Sequence, residues 1–392
     1  MDISKLAETI GDSPTLQLNA KAKHLKEEGK PVIHLGGGEP HSLTPKSAID
    51  AGIEKLKSGK VKYTASGGTK SLKEAVVKHT ERVYGIKVKP ENILISNGAK
   101  QAIYNFLLAA INPSDEIIFP APYWVSYPEM TKLSGAKPIV ISPPKNSFEP
   151  AIEDIRSAVT KKTKVIMLNS PNNPSGAVYS NKLIEQVVKL CREKNIYLLA
   201  DDIYRQLVFD GIKPASIYDF AGNTDNLVAI NGVSKAYGMT GFRMGWAIAN
   251  EKLIKAMTKM QVQTVSCPCD LSQTCAEAAL NGSQKCITEL VDTLQDNRNT
   301  MLNALSKIKK VKVIEPQGTF YCLADFSEYE NDSNKLAQRL IEKALVVTIP
   351  GVGFGMEGHL RISYCGSKED VVEGTERIRL ALDEPENLKI RS

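Results

Sequence analysis

The chain has 392 residues, 42% of them apolar, with 27 glycines and 20 prolines. That composition supports a large buried core and excludes a collagen-like, coiled-coil or disordered chain. Fifty basic against 44 acidic residues leave a net charge of +6, spread along the chain with no basic stripe, which argues against a nucleic-acid binder.

No run approaches the roughly 18 apolar residues of a spanning helix. The opening stretch to Pro14 has acidic residues and no apolar core, so neither a membrane segment nor a secretory leader is expected. The seven cysteines, Cys191, Cys267, Cys269, Cys275, Cys286, Cys322 and Cys365, are odd in number and form no CxxC pair. Free thiols in a reducing cytoplasm are expected, with no metal site and no catalytic cysteine.

In chain order, a helix is predicted from Lys21 to Gly29, then a strand Val32 to Leu35 and a Gly-rich turn Gly36 to Pro40. Strands follow at Asn92 to Ser96, Glu116 to Phe119, Lys164 to Leu168, Ile196 to Ala200, Leu227 to Ile230 and Trp246 to Ala249. Helices are predicted at Gln101 to Ile111 and Leu183 to Arg192. These strands are continuously apolar rather than alternating, the pattern of strands buried on both faces of a mostly parallel sheet.

After about residue 280 the pattern changes. A long helix, Ile287 to Lys307, leads to strands at Val311 to Ile314 and Thr319 to Cys322, a helix Asn334 to Lys343, strands at Val346 to Ile349 and Arg361 to Tyr364, and a final helix. The predicted fold class is α/β: a large domain with a mostly parallel sheet flanked by helices, residues 46–284, and a smaller α+β domain, residues 285–392 with the N-terminal segment 1–45.

Open α/β sheets bind ligands beyond the carboxyl ends of their strands. Four such ends carry Asn97-Gly98-Ala99-Lys100, Asn169 to Gly176, Asp201-Asp202-Ile203-Tyr204 and Asn231-Gly232-Val233-Ser234-Lys235. Each alone reads as readily as a turn. Together they suggest a polar, anionic ligand and a lysine-centred site. Gly98 to Lys100 open a helix whose free N–H groups suit a phosphate. Neighbouring extended residues point opposite ways, so one of Asp201 and Asp202 should face the site. An isolated lysine is ordinarily solvated. Lys235 instead precedes the apolar, Gly-rich stretch Ala236 to Arg243, where desolvation would lower its pKa, as an amine that attacks a carbonyl requires.

The motifs Ser170-Pro171-Asn172-Asn173-Pro174-Ser175-Gly176, Asp201-Asp202-Ile203-Tyr204 and Ser234-Lys235 followed by Met239-Thr240-Gly241-Phe242-Arg243 resemble the class I pyridoxal-phosphate aminotransferases of fold type I. The likeness runs from Gly38-Glu39-Pro40 to Arg361-Ile362-Ser363-Tyr364. Ala121 to Pro128 is similar to the bacterial and archaeal aspartate aminotransferase branch, shared with prephenate aminotransferases.

The resemblance implies pyridoxal 5′-phosphate linked to Lys235, which later moves the substrate α-proton. It implies Asp201 at the pyridine nitrogen, Tyr204 and Asn173 at the ring 3′ oxygen, and Trp124 stacked on the ring. Gly98, Ala99, Lys100, Ser234 and Arg243 would hold the phosphate, with Tyr63 from a second subunit, so a homodimer is implied. Arg361 would clamp the α-carboxylate, helped by Gly38 and Asn173, with Trp124 beside the substrate.

Thr15 and Lys100 match the pair that holds a distal carboxylate, which favours aspartate or glutamate with 2-oxoglutarate as acceptor. Ser42, in Pro40-His41-Ser42-Leu43, stands where relatives carry an aromatic bordering the substrate. That departure keeps aromatic amino acids, alanine or kynurenine as alternative substrates. A carbon–sulfur lyase is a further alternative.

Overall fold

The structure, a computed structural model, describes residues 2–11, 14–221 and 224–388. The strands in chain order are β1 (Ile33–His34), β2 (Ile93–Ser96), β3 (Glu116–Pro120), β4 (Lys137–Ile141), β5 (Thr163–Asn169), β6 (Tyr197–Asp201) and β7 (Leu227–Gly232). They continue with β8 (Gly245–Ile248), β9 (Lys312–Val313), β10 (Tyr321–Asp325), β11 (Val346–Val347), β12 (Ile349–Pro350) and β13 (His359–Ser363).

Seven strands form the main sheet in the order β2-β8-β7-β6-β5-β3-β4. Strands β7, β6, β5, β3 and β4 are parallel neighbours. Strand β8 runs antiparallel to both β2 and β7. The carboxyl ends of β2, β5, β6 and β7 therefore lie along one edge, together with the start of β8.

Alternate residues of each strand feed two separate cores. Leu94, Ile117, Val165, Leu199 and Val228 pack on one face. Ile95, Ile118, Ile166, Leu198 and Ala229 pack on the other. This double burial is why the strands read as unbroken apolar runs.

Helices cover both faces, and side-chain caps fix where several begin. Thr69 accepts from the Leu72 amide and Ser180 from the Leu183 amide, and the first of these helices stops at left-handed Gly85 (φ 69°). Strand β4 is absent from the sequence reading. It lies at the sheet edge and holds Pro138 and the exposed Val140, which an edge tolerates and a central strand does not.

A second sheet, β12-β13-β10-β9, is antiparallel. The strand expected at Val346 to Ile349 divides in two. Val346–Val347 pair in parallel with Ile33–His34, while Ile349–Pro350 join β13. One run thus stitches the N-terminal segment to the small sheet. The helix expected at Lys21 to Gly29 is the last part of a longer one, Pro14–Glu27. Among the described residues, no helix is long and apolar enough to cross a membrane. All seven cysteines are free thiols.

Candidate active site

The strand ends open onto a cavity of about 850 Å³. Its lining includes Gly38, Ala99, Lys100, Trp124, Asn173, Asp201, Tyr204, Ser234, Lys235, Arg243 and Arg361, so residues predicted from seven separate segments meet in one space. Gly98 lies at its edge, against Arg243.

Lys235 follows β7 and is half-buried, and its Nζ donates to the Gly38 carbonyl oxygen at 2.6 Å. Desolvation lowers its pKa to about 8, with the Arg361 and Arg243 charges pushing the same way. Roughly one amine in ten is then the free base at pH 7, against about one in three thousand for an ordinary lysine.

Asp201 ends β6 and is 4% exposed. Burial raises its pKa to about 6, opposed by a hydrogen bond from Tyr127. The Tyr127 hydroxyl donates to Oδ2 at 2.7 Å, and the Ile203 amide donates weakly to Oδ1 at 3.4 Å. The alternation expected of the aspartate pair is present: Asp201 lines the cavity, whereas Asp202 points away toward Arg205 and Tyr84. Asn169, at the end of β5, fixes the floor. Its amide donates to the Asp201 carbonyl, and its oxygen accepts from the Asn173 amide, both at 2.8 Å.

The helix Ala99–Ala110 begins at this edge, and its N-cap Gly98 (φ 86°) supplies no side-chain acceptor. A Cβ there would sit 2.6 Å from Arg243 Nη2, so only glycine lets the guanidinium approach the first turn. Gly245 is needed for the same reason: a Cβ would lie 2.5 Å from the Ala99 amide nitrogen. Lys100 lies over the Trp124 ring, 4.8 Å from its centroid, and burial lowers its pKa, with Arg243 adding to the effect. A helix N-terminus flanked by two cations is an anion cradle.

Arg361 lies at the middle of β13, opposite Leu323 of β10. It donates to Asn173 Oδ1 at 3.1 Å and to the Gly36 carbonyl at 3.0 Å. Its Nε is buried without a hydrogen-bond partner. The guanidinium sits 4.2 Å from the Tyr321 ring centroid and 5.0 Å from that of Phe354. A buried guanidinium with a spare donor suits a carboxylate.

Other expected positions fall elsewhere. Tyr63 is 92% exposed and is not part of the cavity of its own chain. The Thr15 side chain lies outside the described residues, so only Lys100 of that pair can be placed. Ser42 does not border the cavity; its buried hydroxyl packs against Gly238.

Several lining residues escaped the sequence reading. Tyr321 places its hydroxyl 3.4 Å from that of Tyr204, yet in sequence it is one apolar residue in a strand. Ile10 and Gly11 reach the cavity mouth, where the Gly11 amide donates to Glu129 Oε2 at 3.2 Å. Nothing local signals that contact across 118 residues.

Comparison with known proteins agrees with this geometry. The profile of the family described as Aminotransferase class I and II matches residues 30–378. An aspartate aminotransferase of Bacillus sp. (strain YM-2) is 38% identical over 383 residues, covering 96% of this chain and 98% of the relative. An aspartate/prephenate aminotransferase of Nitrosomonas europaea is 36% identical, covering 96% and 99%. Among solved structures, the aspartate aminotransferase of Thermus thermophilus with maleate superposes with a TM-score of 0.93 at 34% identity, covering 97% of this chain and 100% of the other. With a lysine, an aspartate and an arginine converging in one cavity of a matching fold, the chain belongs to the class I and II aminotransferase family and is a transaminase.

Proposed function

We propose that this chain is a pyridoxal-phosphate-dependent aspartate aminotransferase, passing the amino group of L-aspartate or L-glutamate to a 2-oxo acid such as 2-oxoglutarate. The observation that carries the reading is the meeting of a desolvated amine, a buried carboxylate and a buried guanidinium in one cavity. The relatives named as aspartate aminotransferases support the substrate class.

The residues fit the cofactor. Ala99 and Lys100 amides at the uncapped helix start, with Gly98, Ser234 and Arg243, suit its phosphate. Asp201 suits a protonated ring nitrogen, Trp124 the ring face, and Tyr204 and Asn173 the ring hydroxyl. When bound, the cofactor supplies an electron sink for the bond broken at the substrate α-carbon.

The chain's own groups do the rest. Lys235 Nζ anchors the cofactor and then carries the α-proton; its depressed pKa keeps it competent as a base near neutrality. Asp201 holds negative charge where the ring nitrogen would lie. Arg361, with Asn173 and Gly38, orients the α-carboxylate, and Lys100 with Thr15 takes the distal one. Ser42, the ground for other side-chain specificities, packs under Gly238 and does not shape the cavity.

The exposure of Tyr63, with Val61 and Leu56 close to it in sequence and also exposed, supports a homodimer in which Tyr63 reaches the partner's phosphate site. The two sheets support a division into residues 46–284 and residues 1–45 with 285–392. Seven free thiols support a cytoplasmic location.

The test is an absorbance scan of the purified protein with pyridoxal phosphate, repeated after adding single amino acids without an acceptor. A visible band that aspartate and glutamate bleach is expected. Bleaching by aromatic amino acids alone would overturn the substrate class, and the lack of any band would overturn the cofactor.

A further inference from the structure

We infer that Tyr127 is a positioning residue of this transaminase: its hydroxyl fixes both the orientation and the charge of Asp201 without touching substrate. The inference rests on Asp201 as the partner of the cofactor ring nitrogen.

Tyr127 belongs to the stretch Tyr123 to Pro128, whose family likeness assigns no task to the tyrosine. It sits in the first turn of the helix Ser126–Leu133 and is 2% exposed. Its hydroxyl donates to Asp201 Oδ2 at 2.7 Å, across 74 residues of sequence. The other carboxylate oxygen receives only the long 3.4 Å bond from the Ile203 amide. One oxygen is thus held firmly, and the other remains available to the cavity that Asp201 lines.

The donor cannot swing away. Its ring packs edge-on against Trp124, with centroids 5.6 Å apart, and against Phe119 at 5.9 Å. The Tyr127 amide also donates to the Trp124 carbonyl at 2.9 Å. A single turn therefore carries the ring-facing Trp124 and the hold on Asp201, so the two cannot move independently.

The phenol is also locked as a donor. Burial and the Asp201 charge push its ionisation well above the ordinary tyrosine range. The remaining groups facing Asp201 are Lys235, which favours its charge, Asp202, which opposes it, and the neutral Tyr204. A direct charge-assisted hydrogen bond to a buried carboxylate outweighs these more distant charges.

The test is Tyr127→Phe, which removes one oxygen and keeps the ring. In cofactor-free protein, carbon-13 NMR of the Asp201 carboxyl should show its titration midpoint moving up by about one pH unit, since a hydrogen bond to a charged group is lost. In the loaded enzyme, affinity for pyridoxal phosphate should fall about tenfold and kcat should fall with little change in the KM for aspartate. The same substitution made in an Asp201→Asn background should leave that affinity within about twofold.

An unmoved Asp201 midpoint in a folded Tyr127→Phe protein would overturn the inference. So would an equal loss of affinity in both backgrounds, because a merely structural role predicts additivity. Should the single variant not fold, the Asp201→Asn pair decides alone: a Tyr127→Phe, Asp201→Asn protein that also fails to fold makes Tyr127 structural, and one that folds confirms the coupling. Wild-type protein that takes up no pyridoxal phosphate would sink the cofactor reading, while the NMR titration still reads the hold of Tyr127 on Asp201.

Discussion

Asp201 and Arg361 are both buried charges lining the same cavity, one on each sheet, and they are held differently. Asp201 stands on the floor at the end of the large sheet, with one carboxylate oxygen held by Tyr127, the other only loosely by the Ile203 amide, and its backbone tied to Asn169. Arg361 stands on the small sheet with a buried Nε that has no partner. A group that meets a resident ligand can be satisfied in advance by the protein. A group that meets an exchanging ligand must keep a donor in reserve, and tolerates the desolvation only because two carbonyl-type oxygens and two aromatic faces surround it. In the proposed function the floor serves the chemistry and the Arg361 side serves capture of the substrate.

That contrast can be tested from its centre outward. Lys235→Ala removes the floor's amine. Aspartate turnover in a coupled assay should fall by more than about 10⁴-fold, beyond what a displaced general base alone accounts for; substantial residual turnover would break the assignment.

Asp201→Asn should lower kcat by about 10²- to 10³-fold, the loss typical of a preorganised electrostatic partner. It should also act on stability with the opposite sign. The folded-state pKa of Asp201 is raised to about 6, so its contribution to stability is fully present below about pH 4 and is lost as pH rises through 6. Cofactor-free Asp201→Asn protein should therefore be more stable than wild type at pH 8 by on the order of 2–3 kcal/mol, with the difference gone at pH 4. Denaturant melts at both values check it, and a lower stability at pH 8 would contradict the burial argument.

Arg361→Lys tests the capture wall. The lysine cannot fork two hydrogen bonds, so the KM for aspartate should rise about 10- to 100-fold, while the visible absorbance of the bound cofactor stays as in wild type. A changed spectrum would mean that the two walls are not separate. The smallest effect belongs to the mouth: Glu129→Gln weakens the single bond to the Gly11 amide, and the KM should change no more than about threefold. Faster hydrogen exchange at Gly11 would show that the segment is held by this bond.

The floor was far more legible in the sequence than the wall. Lys235, Asp201, Asn173 and Gly98 each follow an apolar strand, and strand ends on one sheet edge must converge. The alternation of Asp201 and Asp202 follows from extended geometry alone. Strand β4 was missed because an edge strand with a proline carries a weak apolar signal. Ser42 shows the limit of likeness, which places a residue in sequence and cannot say that its hydroxyl packs against Gly238.

By itself, then, the sequence determined the parallel sheet, the order of its strands along the chain and the reactive groups at their ends, because hydrophobic period and turn chemistry are local properties. The tertiary structure alone decided which groups face one another: Tyr127 on Asp201, Tyr321 beside Tyr204, and Arg361 on Asn173 across 188 residues. Such contacts depend on how two sheets pack, and no local pattern encodes that distance. The pKa values that make Lys235 and Asp201 useful belong to the same level, since desolvation exists only once the cavity has closed around them.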